Sequence, residues 1–215
     1  MSEIRIEKKF VYQEGDDSFR YFLLNSMIKK IYSNRKINSI YFDTETLKNI
    51  WDNINGYGNR TKIRLRWYDN LNNSDVFFEE KIKKNFSTIK KVKKLGNFKD
   101  FKDLENFIEN NLHSNQLFSG KKLNLNKILY VTYDREYFLD YSKKLRFTLD
   151  QNIKTYIDQS IKSINIDRNI LEVKYDPIYS DYCNKFLKKN KLNNRNQKFS
   201  KYVYSFLELN QSGLI

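Results

Sequence analysis

Charged side chains recur at every second position of several short segments of this sequence. In residues 60–68, Arg64 and Arg66 alternate with apolar side chains, and a following segment places Glu79 and Lys81 in the same way. Successive side chains of a β-strand point to opposite faces, so these segments are predicted strands with one charged and one apolar face. Arg and Lys on such a face can make short, charge-assisted hydrogen bonds to phosphate oxygens.

Glutamates accompany the cations on these charged faces. Glu7, Glu79 and Glu172 each follow an apolar residue and lie two residues before a Lys. A carboxylate among cations suits a hard divalent ion such as Mg²⁺ or Mn²⁺, which bridges carboxylates and phosphates. The pattern therefore indicates a site for phosphate groups together with a metal ion.

An alternative explanation is that the charged faces simply meet water, as one face of an antiparallel sheet often does. That explanation weakens because several strands repeat the pattern, and like charges that face one another across strands repel. A closed or nearly closed barrel accounts for it better, with the basic face inside and the apolar face packed outward against helices. Its interior must be wet or hold an anion, because burying unpaired cations is costly.

The elements that would position these residues follow from the remaining patterns. Apolar stripes at helical spacing predict helices over about 17–31, 99–112, 179–189 and 200–209. The first helix is expected to place Phe19, Phe22 and Met27 in the core. We predict an α+β fold, an antiparallel β-barrel with helices packed on the outside. With two β-rich halves and no linker between them, residues 1–215 are predicted to form a single domain.

Composition narrows the class of protein. Forty Lys and Arg against 26 Asp and Glu give a net charge of +14, which favours anionic partners. The 40% hydrophobic content, with 16% aromatic residues, is too high for a disordered chain. One Cys and one His (His113, at a predicted helix end) exclude an internal disulfide and most zinc sites. Without a signal peptide or a long apolar run, the chain is predicted to be cytoplasmic.

Eight short motifs occur in order between about residues 3 and 206. They are Arg5-x-Glu7-x-Lys9, Ser39-Ile-Tyr-Phe-Asp43, Lys62-Ile-Arg64-Leu-Arg66-Trp-Tyr68, Phe78-Glu79-x-Lys81, Tyr133-Asp-Arg135-x-x-Phe138, Leu145-Arg146-x-Thr-Leu-Asp150, Leu171-Glu172-Val-Lys174 and Phe199-Ser-Lys201-Tyr202. The series resembles the VTC domain, the polyphosphate polymerase branch of the CYTH-like triphosphate tunnel metalloenzymes. That family has a tunnel of antiparallel strands lined with Lys, Arg and Glu, in agreement with the pattern described above.

The resemblance implies an activity and a set of site residues. The VTC domain transfers the terminal phosphate of ATP to a growing polyphosphate chain with a divalent metal, Mn²⁺ or Mg²⁺. The phosphate-binding residues implied are Lys9, Lys62, Arg64, Arg66, Lys81, Lys90, Lys93, Arg135, Arg146, Lys174 and Lys201. In the basic stretch 88–94 we prefer Lys93, with Lys90 next. Glu172 is implied as the principal metal ligand with Glu7 and Glu79 in support, and Arg64, Arg66, Lys81 and Glu172 as the catalytic group.

Other functions stay open on the sequence alone. A triphosphatase or polyphosphate hydrolase could use the same tunnel residues, with water replacing the phosphate nucleophile. A non-catalytic polyphosphate-binding protein would keep the cations and lose the metal ligands. Binding of nucleic acid is disfavoured because the interspersed Glu residues repel a phosphodiester backbone. The expected partners are ATP or another triphosphate and polyphosphate; the chain has no membrane segment of its own, and a membrane partner is left open.

Overall fold

A computed structural model of the protein describes residues 5–85, 87–111, 124–158, 163–192 and 196–215. Its strands are β1 (Ile6–Gln13), β2 (Ile28–Thr44), β3 (Asn59–Tyr68), β4 (Val76–Lys84), β5 (Ser87–Gly96), β6 (Leu125–Asp140), β7 (Arg146–Tyr156), β8 (Ile164–Ile166) and β9 (Arg168–Tyr175). Its α-helices are α1 (Ser18–Asn25), α2 (Lys48–Ile54), α3 (Phe101–Asn111), α4 (Ser180–Lys189) and α5 (Lys201–Gln211). None of these helices has both the length and the apolar character needed to cross a bilayer.

The strands form one sheet with the hydrogen-bonded order β1-β9-β7-β6-β2-β3-β4-β5, and β8 pairs with β7. The pairs β1–β9, β2–β3, β3–β4, β4–β5 and β7–β9 are antiparallel. The predicted α+β class with an antiparallel sheet is therefore confirmed. The described sheet is not strictly closed, because its order begins at β1 and ends at β5.

The chain divides into two compact units. The first unit comprises Met1–Lys36, Tyr133–Lys154 and Asn165–Ser200, and the second comprises Ile37–Thr132, Thr155–Ile164 and Lys201–Ile215. Strands β2, β6, β7 and β8 contribute residues to both units.

In the second unit, the apolar faces of β2 to β4 pack against α3. Ile63, Leu65 and Phe78 belong to one buried cluster with Leu104 and Ile108 of the helix. The alternate positions of the same strands carry the charged residues, as the alternation in the sequence predicts. Helix α3 therefore covers the apolar face and leaves the charged face to other contacts.

The first unit is built on the same principle. Leu149, Leu171 and Val173 of β7 and β9 lie in a buried cluster with Phe19 and Phe22 of α1. Cys183 and Leu187 of α4 complete this cluster. Helices again cover the apolar face of the strands, and the thiol of Cys183 is buried in the core.

The prediction for residues 17–31 was wrong in its second half. Helix α1 ends at Asn25, Ser26 has an extended backbone, and β2 begins at Ile28. Met27, expected in the core, lies in the connection and is 65% exposed. The β-branched residues Ile28 and Ile31 favour a strand. Their spacing also fits the last turn of an apolar helical stripe, which explains the wrong prediction.

The other elements agree with the patterns except in detail. The predicted helix over 99–112 is α3, Phe101–Asn111, while the short strand β8 was not predicted. Strand β2, Ile28–Thr44, contains the motif Ser39 to Asp43 near its end. His113 lies outside the described residues.

Candidate phosphate-binding site

In the second unit, the charged residues of β3, β4 and β5 gather around the carboxylate of Glu79. Arg64 donates to Glu79 Oε2 from Nε at 2.7 Å and from Nη2 at 2.5 Å, and Lys90 Nζ donates to Glu79 Oε1 at 2.7 Å. Arg66 Nη1 lies 3.7 Å from the same Oε2. Glu79 and Arg66 are buried, whereas Arg64 and Lys90 are partly exposed. One carboxylate thus holds three cations together.

The pKa values of Glu79 and Lys90 are both lowered in this cluster, for different reasons. Burial acts to raise the pKa of the Glu79 carboxyl, but Arg64, Arg66 and Lys90 outweigh it and hold the pKa well below its ordinary value. Burial lowers the pKa of the Lys90 ammonium; Glu79 opposes that shift, and Arg64 and Arg66 reinforce it. The cluster therefore carries more positive charge than its carboxylate neutralises, which suits an added anion.

A row of three lysines lies next to this cluster across the strands. Lys62 of β3 is directly opposite Lys81 of β4, and Lys81 is directly opposite Lys90 of β5. Residues opposite one another share a face, so the three ammonium groups stand on the face of Glu79. Lys93 is opposite Phe78, a residue of the apolar core, and so lies on the other face. The register thus brings Lys90, and not the preferred Lys93, to the cluster.

In the first unit, two lysines and two glutamates alternate around a second cluster. Lys9 Nζ lies 3.0 Å from Glu7 Oε1 and 3.7 Å from Glu172 Oε2. Lys174 Nζ contacts Glu172 Oε1 closely and lies 4.0 Å from Glu7 Oε2. The register explains the arrangement, because Glu7 is opposite Lys174 and Lys9 is opposite Glu172.

Arg135 and Arg146 extend this second cluster. Arg135 donates from Nε and Nη2 to the two oxygens of Asp150, at 2.5 and 2.7 Å, and Asp150 is fully buried. Arg146 of β7 is exposed and stands directly opposite Lys174 of β9. Both arginines thus belong to the charged side of the first unit.

The electrostatics of the first unit are those of a paired, buried network. Burial acts to raise the pKa of Glu172, yet Lys174, Lys9 and Arg135 hold it well below its ordinary value. Burial acts to lower the pKa of Lys9, and Glu172 and Glu7 outweigh it, so that pKa lies above its ordinary value. Asp150 likewise outweighs burial and raises the pKa of Arg135. Lys9, Arg135 and Glu172 therefore keep their charges at neutral pH.

A segment near the C-terminus holds the backbone at Lys9. Lys9 Nζ donates to the carbonyl of Phe199 at 3.1 Å, and the amide of Lys9 donates to Asn196 Oδ1 at 2.9 Å. Gln197 donates its amide to the Lys9 carbonyl. The predicted phosphate-binding Lys201 follows as the first residue of α5, in the second unit, and is half-buried.

Two residues beside these clusters, Tyr41 and Asp150, had no function predicted from the sequence. Tyr41 is opposite Arg64 and accepts a hydrogen bond from it, and Asp150 binds Arg135. Both appeared only as letters of a motif. Alternation gave a usable signal for Asp150, which shares a face with Arg146; nothing in the sequence pairs Tyr41 with Arg64.

The donors of the first unit fit a divalent cation of the Mg²⁺ type. Such an ion commonly uses one or two carboxylates and takes its other oxygens from substrate phosphates and water. Glu7 and Glu172 supply two neighbouring carboxylates, although no group of three His, Cys, Asp or Glu residues that could hold a metal occurs within the described residues. Thr148, opposite Glu172, has a buried hydroxyl without a hydrogen-bond partner in the described part of the chain. A ligand oxygen would satisfy it.

Solved structures with the same fold have very different sequences. A protein from Bacillus halodurans, provisionally assigned as an adenylate cyclase, has a TM-score of 0.59 and 13% identity, over 92% of this chain and 95% of that one. A Hippeastrum protein, described as an adenylyl cyclase candidate with a dominant triphosphatase activity, has a TM-score of 0.57 and 11% identity, over 98% and 97%. PH1819 from Pyrococcus horikoshii has a TM-score of 0.53 and 14% identity, over 96% and 99%.

The likeness to these structures is one of fold. The family model that matches this chain is the VTC domain, over residues 5–210. The chain therefore belongs to the VTC domain family. No curated protein sequence matches it.

Proposed function

We propose that the protein is a metal-dependent polyphosphate polymerase, which transfers the γ-phosphate of ATP to a polyphosphate chain. Membership of the VTC domain family supports this function. The proposal takes residues 1–215 as one functional domain, since the matched range 5–210 includes residues of both units. The cytoplasmic location and a membrane partner stay predictions.

The observation that carries the proposal is the continuous set of cations on one face of β3, β4 and β5. Lys62, Arg64 and Arg66 follow one another at every second position of β3, so they span about 13 Å along the strand. A row of three lysines, Lys62, Lys81 and Lys90, stands beside them across the three strands. A linear chain of phosphates matches such spacing better than a single compact anion does.

The proposed mechanism rests on positioning and charge neutralisation. Phosphoryl transfer needs the reacting groups held in line and the charge on the transferred phosphate stabilised. Arg64, Arg66 and Lys81 would bind the phosphates that react. The other phosphate contacts would come from Lys9, Lys62, Lys90, Lys93, Arg135, Arg146, Lys174 and Lys201. Of these residues, Lys93 is the least favoured as a phosphate ligand, because the register places it on the opposite face of the sheet.

The contacts of the glutamates suggest different roles for Glu79 and for the pair of Glu7 and Glu172. Both oxygens of Glu79 accept hydrogen bonds from cations, which suits a counter-ion that orients Arg64 better than a metal ligand. Glu172, with Glu7, would hold the divalent ion. When bound, that ion would neutralise charge on the phosphate oxygens. The nucleophile is itself a phosphate oxygen that is ionised at neutral pH, so no side chain has to act as a general base.

A triphosphatase is the second candidate, and the Hippeastrum structure with its dominant triphosphatase activity favours it. The same cations would bind the same triphosphate, and water would replace the end of the polyphosphate chain as nucleophile. The two reactions differ in the acceptor alone, so product analysis separates them.

The test is incubation of the purified protein with ATP and Mn²⁺ or Mg²⁺, followed by separation of long polyphosphate, free phosphate and ADP. We expect polyphosphate and ADP from the wild type, and a loss of at least about 100-fold in turnover for Arg64→Ala. Lys188→Ala, which removes an exposed cation of α4, is the matched control and should keep full turnover.

Each product pattern has a distinct meaning. Free phosphate without polymer would mean that the protein is a triphosphatase and not a polymerase. Tight binding of polyphosphate without turnover would mean that the protein binds polyphosphate but is not an enzyme. Full activity of Arg64→Ala would contradict the assignment of the site itself.

A further inference from the structure

Asp43 is a buried carboxylate that the proposed reaction does not use. It is fully buried at the end of β2 and accepts hydrogen bonds from the amides of Thr44, Asn49 and Ile50. The last two amides belong to the first turn of α2, so Asp43 fixes the start of that helix. Its Oδ2 also accepts a hydrogen bond from the hydroxyl of Tyr202, at 2.9 Å.

Tyr202 connects Asp43 to the phosphate-binding cluster through an aromatic stack. Its ring lies on that of Tyr41, with centroids 4.7 Å apart and planes inclined by 9°. Both tyrosines are buried, at 1% and 4% exposure. The hydroxyl of Tyr41 in turn accepts a hydrogen bond from Arg64 Nη1 at 3.1 Å. A continuous line of contacts therefore runs from Asp43 through two rings to the guanidinium of Arg64.

We propose that Tyr41 and Tyr202 are positioning residues, which set the direction of the Arg64 guanidinium on the phosphate-binding face. The proposal rests on the proposed function of Arg64. Neither tyrosine touches the phosphate; each acts through Arg64.

The geometry of the guanidinium gives the physical reason. Glu79 binds Arg64 through Nε and Nη2, which fixes one edge of the planar group to a single carboxylate oxygen. Rotation about that oxygen would still swing Nη1 away from the face. The hydrogen bond to Tyr41 restrains Nη1, and the stack on Tyr202 restrains the ring of Tyr41. Two fixed edges pre-organise the cation, which matters because misplaced groups lose much of their effect on a transition state.

The hydrogen bond to Asp43 holds the side chain of Tyr202 in place. Burial raises the pKa of Tyr202, and the neighbouring Asp43 raises it further. The hydroxyl therefore stays protonated and keeps donating to the carboxylate. Because Tyr202 is the second residue of α5, the same contact also fixes the helix turn that begins with Lys201.

A double-mutant cycle tests the proposal. Tyr41→Phe keeps the ring and its stack and removes the hydroxyl that accepts from Arg64 Nη1. Tyr202→Phe keeps the stack and removes the donor to Asp43. Affinity for inorganic tripolyphosphate is measured by calorimetry, and kcat and KM are measured with ATP. We expect Tyr41→Phe to lower affinity and kcat/KM by about tenfold, the effect of one hydrogen bond to a charged group. Tyr202→Phe should act in the same direction with a smaller loss.

Coupling to Arg64 distinguishes positioning from general stability. In the Arg64→Ala background, Tyr41→Phe should cause no further loss of affinity, because the group that it orients is gone. The matched control is Tyr130→Phe, which also removes a hydroxyl from a stacked pair, Tyr130 with Tyr156, and a hydrogen bond to Glu105. It should leave tripolyphosphate affinity unchanged whatever it does to the melting temperature.

The outcomes separate this proposal from the proposed function. If Arg64→Ala binds tripolyphosphate as the wild type does, both fail. If Arg64→Ala loses affinity and Tyr41→Phe does not, the positioning proposal is wrong and the proposed function stands. Additive losses from Tyr41→Phe and Arg64→Ala would also overturn it, since they would mean that Tyr41 acts independently of Arg64.

Discussion

Glu172, the proposed metal ligand, is also part of a buried ion-pair network. It is 5% exposed and contacts Lys9 and Lys174, while Arg135 adds to the field around it. Removing one partner of a buried ion pair is costly, because the remaining charges are left uncompensated. Loss of activity on mutation of Glu172 would therefore have to be compared with loss of stability.

The depressed pKa of Glu172 predicts how stability changes with pH. A carboxyl whose pKa is lower in the folded than in the unfolded state stabilises the fold above its unfolded value, about 4.3. That contribution is lost as pH falls through the folded pKa. We expect the free energy of unfolding in urea to decrease when the pH is lowered from 7 to 3, and Glu79, whose pKa is lowered in the same way, adds to the decrease.

Glu172→Gln checks the assignment of this effect. The variant should be less stable than the wild type by about 3 kcal/mol at pH 7 and should lose less stability on acidification. Glu136→Gln, which breaks the more exposed pair with Lys30, is the control and should cost no more than about 1 kcal/mol. An equal acid sensitivity of Glu172→Gln and wild type would show that Glu172 is not the group that titrates.

At the scale of elements, each unit uses a buried aspartate in a similar way. Asp43 fixes the start of α2 and binds Tyr202 of α5 in the second unit. In the first unit, Asp140 accepts hydrogen bonds from the amides of the β6–β7 turn and from the hydroxyl of Tyr182 of α4. In both cases a carboxylate satisfies backbone amides and ties a helix to a strand end.

Asp140→Ala should therefore destabilise the turn between β6 and β7. Three amides, those of Ser142, Lys144 and Leu145, lose a charged acceptor, and we expect a loss of about 3 kcal/mol in the free energy of unfolding. Hydrogen exchange should accelerate first at the same amides. Asp16→Ala, which removes an acceptor from an exposed turn, is the control and should have a much smaller effect. Slow exchange at Leu145 in Asp140→Ala would contradict this account.

For the whole molecule, the net charge of +14 makes the native state sensitive to polyanions and to salt. A ligand that binds only the folded chain stabilises it according to its concentration and affinity. Exposed charges are screened over about 10 Å at 0.1 M salt, so this stabilisation should be largest at low ionic strength.

Tripolyphosphate at about 100 times its Kd should raise the melting temperature by roughly 5–10 °C. The shift should shrink as potassium chloride is added, and it should shrink much more in Arg64→Ala than in Lys188→Ala. These two variants lose the same charge, so the comparison separates a specific site from the general field of the protein. Equal shifts in both would mean that only the net charge is being sensed.

The sequence by itself determined the class of the fold and the charged strand faces. Alternation along β3 and β4 put Arg64, Arg66 and Glu79 on one face because side chains of a strand alternate strictly. The same rule placed Glu7, Lys9, Glu172 and Lys174, whose side chains the antiparallel register joins. Local patterns of this kind need no knowledge of distant residues.

Only the tertiary structure decided which residues meet across the chain. Lys90 rather than Lys93 reaches Glu79 because the β4–β5 register fixes the face, and a shift of one residue would exchange them. The helix predicted through Ile31 ends at Asn25 because pairing of β2 in the sheet outweighs a helical stripe. The line from Asp43 through Tyr202 to Arg64 joins residues up to 159 positions apart. Contacts at such separation arise from packing of whole elements, which alternation along one strand does not encode.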